Sequence, residues 1–150
     1  MVSIQEWKTI DRTGWPSGEW DNEPDKIVWL DNDTGYPCMI VRSPVTGSLC
    51  GYVGINSHQP RHPDFQKHYE TLSDIDVHGG LTFSNWRDER FEDKSIWWFG
   101  FDCAHLYDRS PAMEAHMPSI NFEGCIYRDL PYVISEVAKL AAQLKLREIQ

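Results

Sequence analysis

The chain has 150 residues, 41% of them hydrophobic, with seven tryptophans and a formal net charge of −9. That length suits one domain spanning 1–150 with a core of its own, and the composition excludes a disordered chain. Fourteen basic residues against 23 acidic ones repel a phosphate backbone, so duplex nucleic acid is not an expected partner, although one locally basic pocket can still hold a small nucleotide.

No apolar run approaches membrane-spanning length, and MVSIQEWKTIDRTG at the start lacks the regions of a secretory signal. The expectation is a cytoplasmic protein without a membrane partner. Cys38, Cys50, Cys103 and Cys125 stand at wide spacings with no CxxC, which fits buried thiols better than a zinc cluster. Neither a metal nor another cofactor is expected.

Residues 1–25 are rich in Trp, Gly, Pro and acids, and the pattern predicts a segment laid over the core. QEWKTI (5–10) fits a short strand or a helical turn, and Trp15 or Trp20 is a candidate lid over a ligand. KIVWL (26–30) reads as a strand, DNDTG (31–35) as a turn, and YPCMIVR (36–42) as a second strand. PVTG (44–47) turns the chain again before a third strand, SLCGYVGI (48–55). Three strands with short turns predict an antiparallel meander.

NSHQPRHPDFQKHY (56–69) holds His58, His62 and His68 and is the most basic stretch. Its prolines and the lack of an i, i+4 histidine pair weigh against a metal site. Arg61 is its candidate phosphate-facing residue. DVHGGLTFSN (76–85) reads as a fourth strand, with Val77, Leu81 and Phe83 on one face and His78, Thr82 and Ser84 on the other. Gly79 and Gly80 leave room beside His78.

After the charged connection 86–94 comes SIWWFGFDC (95–103), whose apolar density suits a buried fifth strand. It delivers Asp102, His105 and Asp108 within seven positions, a common way of fixing a site at a strand end. Antiparallel pairing of the fourth and fifth strands would bring His78 near Asp102, and a carboxylate beside an imidazole suits general acid–base work. Residues 106–124 read as a loop or short helix over that site, and CIY (125–127) as a last short strand. Asp129 and Pro131 start a helix whose apolar face is Leu130, Val133, Val137, Leu140, Ala141 and Leu144, running to about Arg147. The predicted fold is α+β, a mostly antiparallel sheet of about five strands with the C-terminal helix on one face.

The segments EWDNEPDK (19–26), TGYPCMIVR (34–42), LCGYVG (49–54), DVHGGLTFS (76–84), WWFGFDCAHLYD (97–108) and YRDLPYV (127–133) together resemble a family of small, largely uncharacterised proteins. That family occurs mostly in bacteriophages and their hosts, and the resemblance runs from about Trp20 to Leu144. It implies a phage-type accessory protein acting in the bacterial cytoplasm. On the matching positions it puts forward His78, Asp102 and His105. Tyr107 departs from the pattern, which has a small residue before the aspartate.

Small phage accessory proteins often counter host defence, so a cyclic nucleotide immune signal becomes the candidate ligand. His78 and His105 could act as base and acid in a metal-independent phosphodiesterase, with Asp102 orienting one imidazole. Thr82 or Ser84 could donate to a phosphate, with Asp108 nearby, while Tyr52, Trp98 or Trp20 stacks on a base. The same residues would equally serve a sponge that sequesters the nucleotide uncleaved. An acidic inhibitor of a host defence enzyme is a third class. All three stay open at this point, as does the choice between a monomer and a homo-oligomer.

Overall fold

The computed structural model describes residues 4–56, 74–85 and 96–148. The basic histidine stretch with Arg61 and the charged connection 86–94 lie outside the described residues. Six strands form one antiparallel sheet: β1 Gln5–Trp7, β2 Lys26–Leu30, β3 Pro37–Arg42, β4 Leu49–Asn56, β5 Phe83–Asn85 and β6 Ile96–Asp102. Their order is β1-β2-β3-β4-β6-β5. The expected meander is β2–β3–β4, with Val28 opposite Met39 and Met39 opposite Tyr52. Ambiguous from sequence, the first segment becomes an edge strand, Gln5 opposite Val28.

Long, apolar β6 pairs with β4 on one side and with short β5 on the other. Alternation along it sends Trp97, Phe99 and Phe101 to one face of the sheet, where they join Cys38, Ile40, Val53 and Ile55 in the main core. Trp98 goes to the other face and forms a smaller buried cluster with Met39 and Tyr52.

Helix α2, Leu130–Leu146, covers the main core. Asp129 caps it, its carboxylate accepting from the Tyr132 N–H at 3.0 Å, and Pro131 sits in the first turn where no N–H is needed. Val133, Val137, Leu140, Ala141 and Leu144 are all buried, as their spacing predicts. Gly51 lets the helix approach β4, since a Cβ there would stand 2.7 Å from a Val137 methyl. Short helix α1, Pro111–His116, docks on the turn before β4 through Ala112 N–H to Thr46 C=O at 3.1 Å. Of the expected loop or short helix at 106–124, residues 111–116 are this helix, while 106–108 belong to the turn that follows His105. The expected strand at 125–127 reduces to a single bridge between Asp108 and Ile126.

The expected fourth strand is only its last three residues. Val77 to Gly80 form a turn, closed by Gly80 N–H to Val77 C=O at 2.8 Å, with φ of +70° at Gly79 and +79° at Gly80. Those left-handed glycines break the ladder that strict alternation required. As a result Val77 and Leu81 join the main core while Phe83 packs on the opposite layer.

Candidate functional site

Three elements meet at one end of the sheet: the 77–80 turn, the loop after β6, and the start of α2. His105 to Asp108 make a tight turn, Asp108 N–H donating to His105 C=O at 2.9 Å. Tyr107 sits at its third position with φ of +72°, the one non-glycine residue with positive φ among the described residues. A type II turn demands that conformation, which glycine adopts without the steric cost a tyrosine bears. Leu106 and Tyr107 form an exposed tip.

Asp108 is the hub. Its side chain is 1% exposed and takes donors from all three elements. Oδ2 is 2.7 Å from His78 Nε2 and accepts the His105 backbone N–H at 3.0 Å, while Oδ1 accepts Arg128 Nε at 2.9 Å. Burial pushes this carboxyl upward, but the hydrogen bonds from His78, Arg128 and His105 outweigh it and hold it below the ordinary carboxylate value. The expected His78–Asp102 pair is thus corrected. Because His78 lies in a turn and not on a strand beside β6, its partner is Asp108.

The other ring nitrogen of His78, Nδ1, lies 2.8 Å from the Tyr132 hydroxyl, and the two rings meet edge to face at 5.5 Å. Burial, then the charge of Glu136, raises the Tyr132 phenol above its usual value and keeps it protonated. Arg128 stacks over the Tyr132 ring at 5.1 Å. With only Nε committed to Asp108, its outer N–H groups have no partner among the described residues.

Asp102 instead pairs with His105, Oδ1 lying 3.2 Å from Nε2 without hydrogen-bond alignment, and accepts from the Thr82 hydroxyl at 3.1 Å. His105 is about one-third exposed, yet its Nε2 is buried against Gly79. A Cβ on Gly79 would stand 2.2 Å from that nitrogen. The ring nitrogen left to meet a ligand is therefore Nδ1. The two imidazoles are 6.0 Å apart, centre to centre.

The remaining candidates lie elsewhere. Ser84 accepts from Trp97 Nε1 at 3.0 Å beside the main core. Tyr52 and Trp98 are buried in the layer on the opposite face from α2, so they do not line the same wall as His78. Trp20 is no open lid. It is 1% exposed, donates from Nε1 to Pro16 C=O at 2.9 Å and packs edge-on against Tyr127. Arg61 lies outside the described residues. Among those residues no group of three or more His, Cys, Asp or Glu is arranged to hold a metal ion. All four cysteines are free, and burial pushes Cys38 up to about 12 and Cys103 higher still.

Sequence reasoning missed Arg128 and Tyr132, which flank the Asp129–Pro131 helix start inside YRDLPYV (127–133). It also missed a second polar centre. Arg42 is fully buried and donates five times: Nε to Asp25 at 2.9 Å, Nη1 to Gly47 C=O and Tyr127 Oη at 2.8 Å each, and Nη2 to Glu23 and Pro24 C=O. Asp25 also accepts from Arg12 and from the N–H groups of Thr9 and Ile10, and Glu23 accepts from Tyr127 and the Leu130 N–H. A signal was present. Cys38, Ile40 and Arg42 share a parity, so alternation already aimed Arg42 inward. With every donor satisfied, this centre is structural.

The fold and site define an α+β protein with a polar cluster at one end of an antiparallel sheet. No protein-family model, curated protein or solved structure matches the chain. Among the described residues no helix is long and apolar enough to cross a membrane.

Proposed function

We propose that the protein takes up a small nucleotide at the Asp108 cluster. The observation that carries this reading is Asp108 itself, a buried carboxylate that fixes His78, His105 and Arg128 from three separate elements. Such over-determined positioning suits a site held ready for a ligand. Arg128 offers its outer N–H groups to a phosphate, because a guanidinium fork matches two phosphate oxygens. Its stack on Tyr132 keeps the fork in place. His105 offers Nδ1, and the exposed ring of Tyr107 at the turn tip offers a stacking surface for a base.

The mechanism first expected, with both histidines acting directly on a ribose phosphate, fits less well. Both ring nitrogens of His78 are engaged inside the protein. Binding is the reading the geometry supports first, and sequestration of a nucleotide signal follows from it without further chemistry. A phage-type accessory role in the bacterial cytoplasm belongs to the same proposal and rests on the sequence resemblance.

The test is equilibrium dialysis of the protein against cyclic dinucleotides, cyclic ADP-ribose isomers and mononucleotides, followed by heat release and chromatography. Retention of one ligand class, weakened about tenfold or more by Arg128→Gln, is expected, a bidentate charged contact being worth about 1.5–3 kcal/mol. If no ligand is retained, the proposal fails.

A further inference from the structure

Resting on that reading, we propose that the site also cleaves a ribonucleotide phosphodiester, and that Tyr132 is the catalytic residue that protonates the leaving oxygen. The geometry is a chain of three groups, Asp108 to His78 at 2.7 Å and His78 to Tyr132 at 2.8 Å. His78 is closed to a ligand because both its nitrogens face protein. Tyr132 is the end of the chain and is only partly buried. When His78 carries two protons it donates one to Asp108 and one to the Tyr132 oxygen, which turns the phenol O–H outward. Burial keeps that phenol protonated and so fit to act as an acid rather than a nucleophile.

The complementary base is His105. The Asp102 carboxylate beside Nε2 favours the proton on that nitrogen, leaving the Nδ1 lone pair for the ligand. In the step, the ribose 2′-oxygen attacks the neighbouring phosphorus and its proton passes to His105 Nδ1. The 2′-oxygen–phosphorus bond forms and the bond from phosphorus to the 5′-oxygen breaks. The departing 5′-oxygen takes the Tyr132 proton, and the Tyr132 oxygen takes the Nδ1 proton of His78. The products are a 2′,3′-cyclic phosphate and a free 5′-hydroxyl, with no change of oxidation state and no co-reactant. His78 and Asp108 are positioning residues that act through Tyr132, and Arg128 holds a non-bridging phosphate oxygen.

Tyr132→Phe keeps the ring beneath Arg128 and removes only the hydroxyl, and a thermal melt checks that the variant folds as the parent does. The probes are adenylyl-(3′→5′)-adenosine and its analogue with sulfur in place of the 5′-bridging oxygen, a leaving group that needs no proton. Tyr132→Phe is expected to slow the oxygen-linked probe by about 100-fold or more and to change the sulfur-linked one by less than about threefold, as loss of a general acid requires. His78→Asn should show the same selectivity. Equal loss on both probes would overturn the inference, since Tyr132 would then only shape the site. If the wild-type protein retains either probe in dialysis and turns over neither, cleavage fails and binding stands. If it neither retains nor cleaves any nucleotide, both proposals fall.

Discussion

Replacing Arg42 by methionine tests the buried polar centre most directly. Methionine roughly fills the same volume and removes five donated hydrogen bonds, leaving Asp25 and Glu23 without their shared cation. Summing those bonds at about 1.5–3 kcal/mol each would match the entire stability of a typical domain, so the sum is the wrong measure. Arginine also surrenders its own desolvation cost when it is removed. The relevant quantity is the penalty for leaving carboxylates buried without their partner, about 3–5 kcal/mol. Asp25 keeps Arg12 and two backbone N–H groups, which argues for the middle of that range. At about 2–4 °C per kcal/mol for a chain of this size, the melting temperature should fall by roughly 8–16 °C. Urea unfolding followed by tryptophan fluorescence gives the free energy, with buried Trp20 next to the network as reporter. Neutralising the acids as well, in Arg42→Met with Asp25→Asn and Glu23→Gln, should restore part of the loss. A single-variant cost under about 1 kcal/mol, or a triple variant no better than the single, would refute the reasoning.

Gly79→Ala places a Cβ against the His105 ring at a left-handed position, so it should cost about 1–2 kcal/mol in denaturant titration and lower ligand retention further. Tyr107→Gly relieves the same backbone conformation at the turn tip and should raise stability by up to about 1 kcal/mol, read as a shift of the urea midpoint at constant slope. If nucleotide retention also falls in that variant, the exposed ring is part of the site. Asp25 and Asp108 both have lowered carboxyl values, so below the ordinary value near 3.8 the unfolded chain binds more protons than the folded one. Stability should therefore hold above that pH and drop as acid is added below it. Asp108→Asn should flatten the drop in urea midpoints measured from about pH 6 down to about pH 2.

The meander and the C-terminal helix were legible because their signals are local. Short turns bracket each strand, and Asp129, Pro131 and the spacing from Val133 to Leu144 name one helix face. The stretch 76–82 misled because Val77, Leu81 and Phe83 alternate as a strand would, whereas two successive glycines permit a turn that alternation cannot register. That one error moved His78 from Asp102 to Asp108. Strand order was the other gap. Nothing local says that β6 inserts between β4 and β5, since that choice is made by burying both faces of Ile96–Asp102. Arg128 and Tyr132 were invisible as site residues because their partners come from turns more than one element away. His105 and Asp108 were legible as candidates because polar groups at the end of an apolar strand have few places to go.

The contact between Glu23 and the first turn of α2 bears on how the chain assembles during synthesis. Glu23 meets Tyr127 across 104 positions and the Leu130 N–H across 107. Until that late segment is made, Glu23 lacks two of its donors, and Arg42 lacks the Tyr127 oxygen. The early strands can pair while the chain grows, but their polar centre stays hydrated and open. Closing loops of that length is slow compared with forming a hairpin or a helix. The segment around Glu23 is thus made well before α2 and among the last to settle, and a ribosome-bound chain lacking α2 should remain sensitive to protease around Trp20 even with its meander in place.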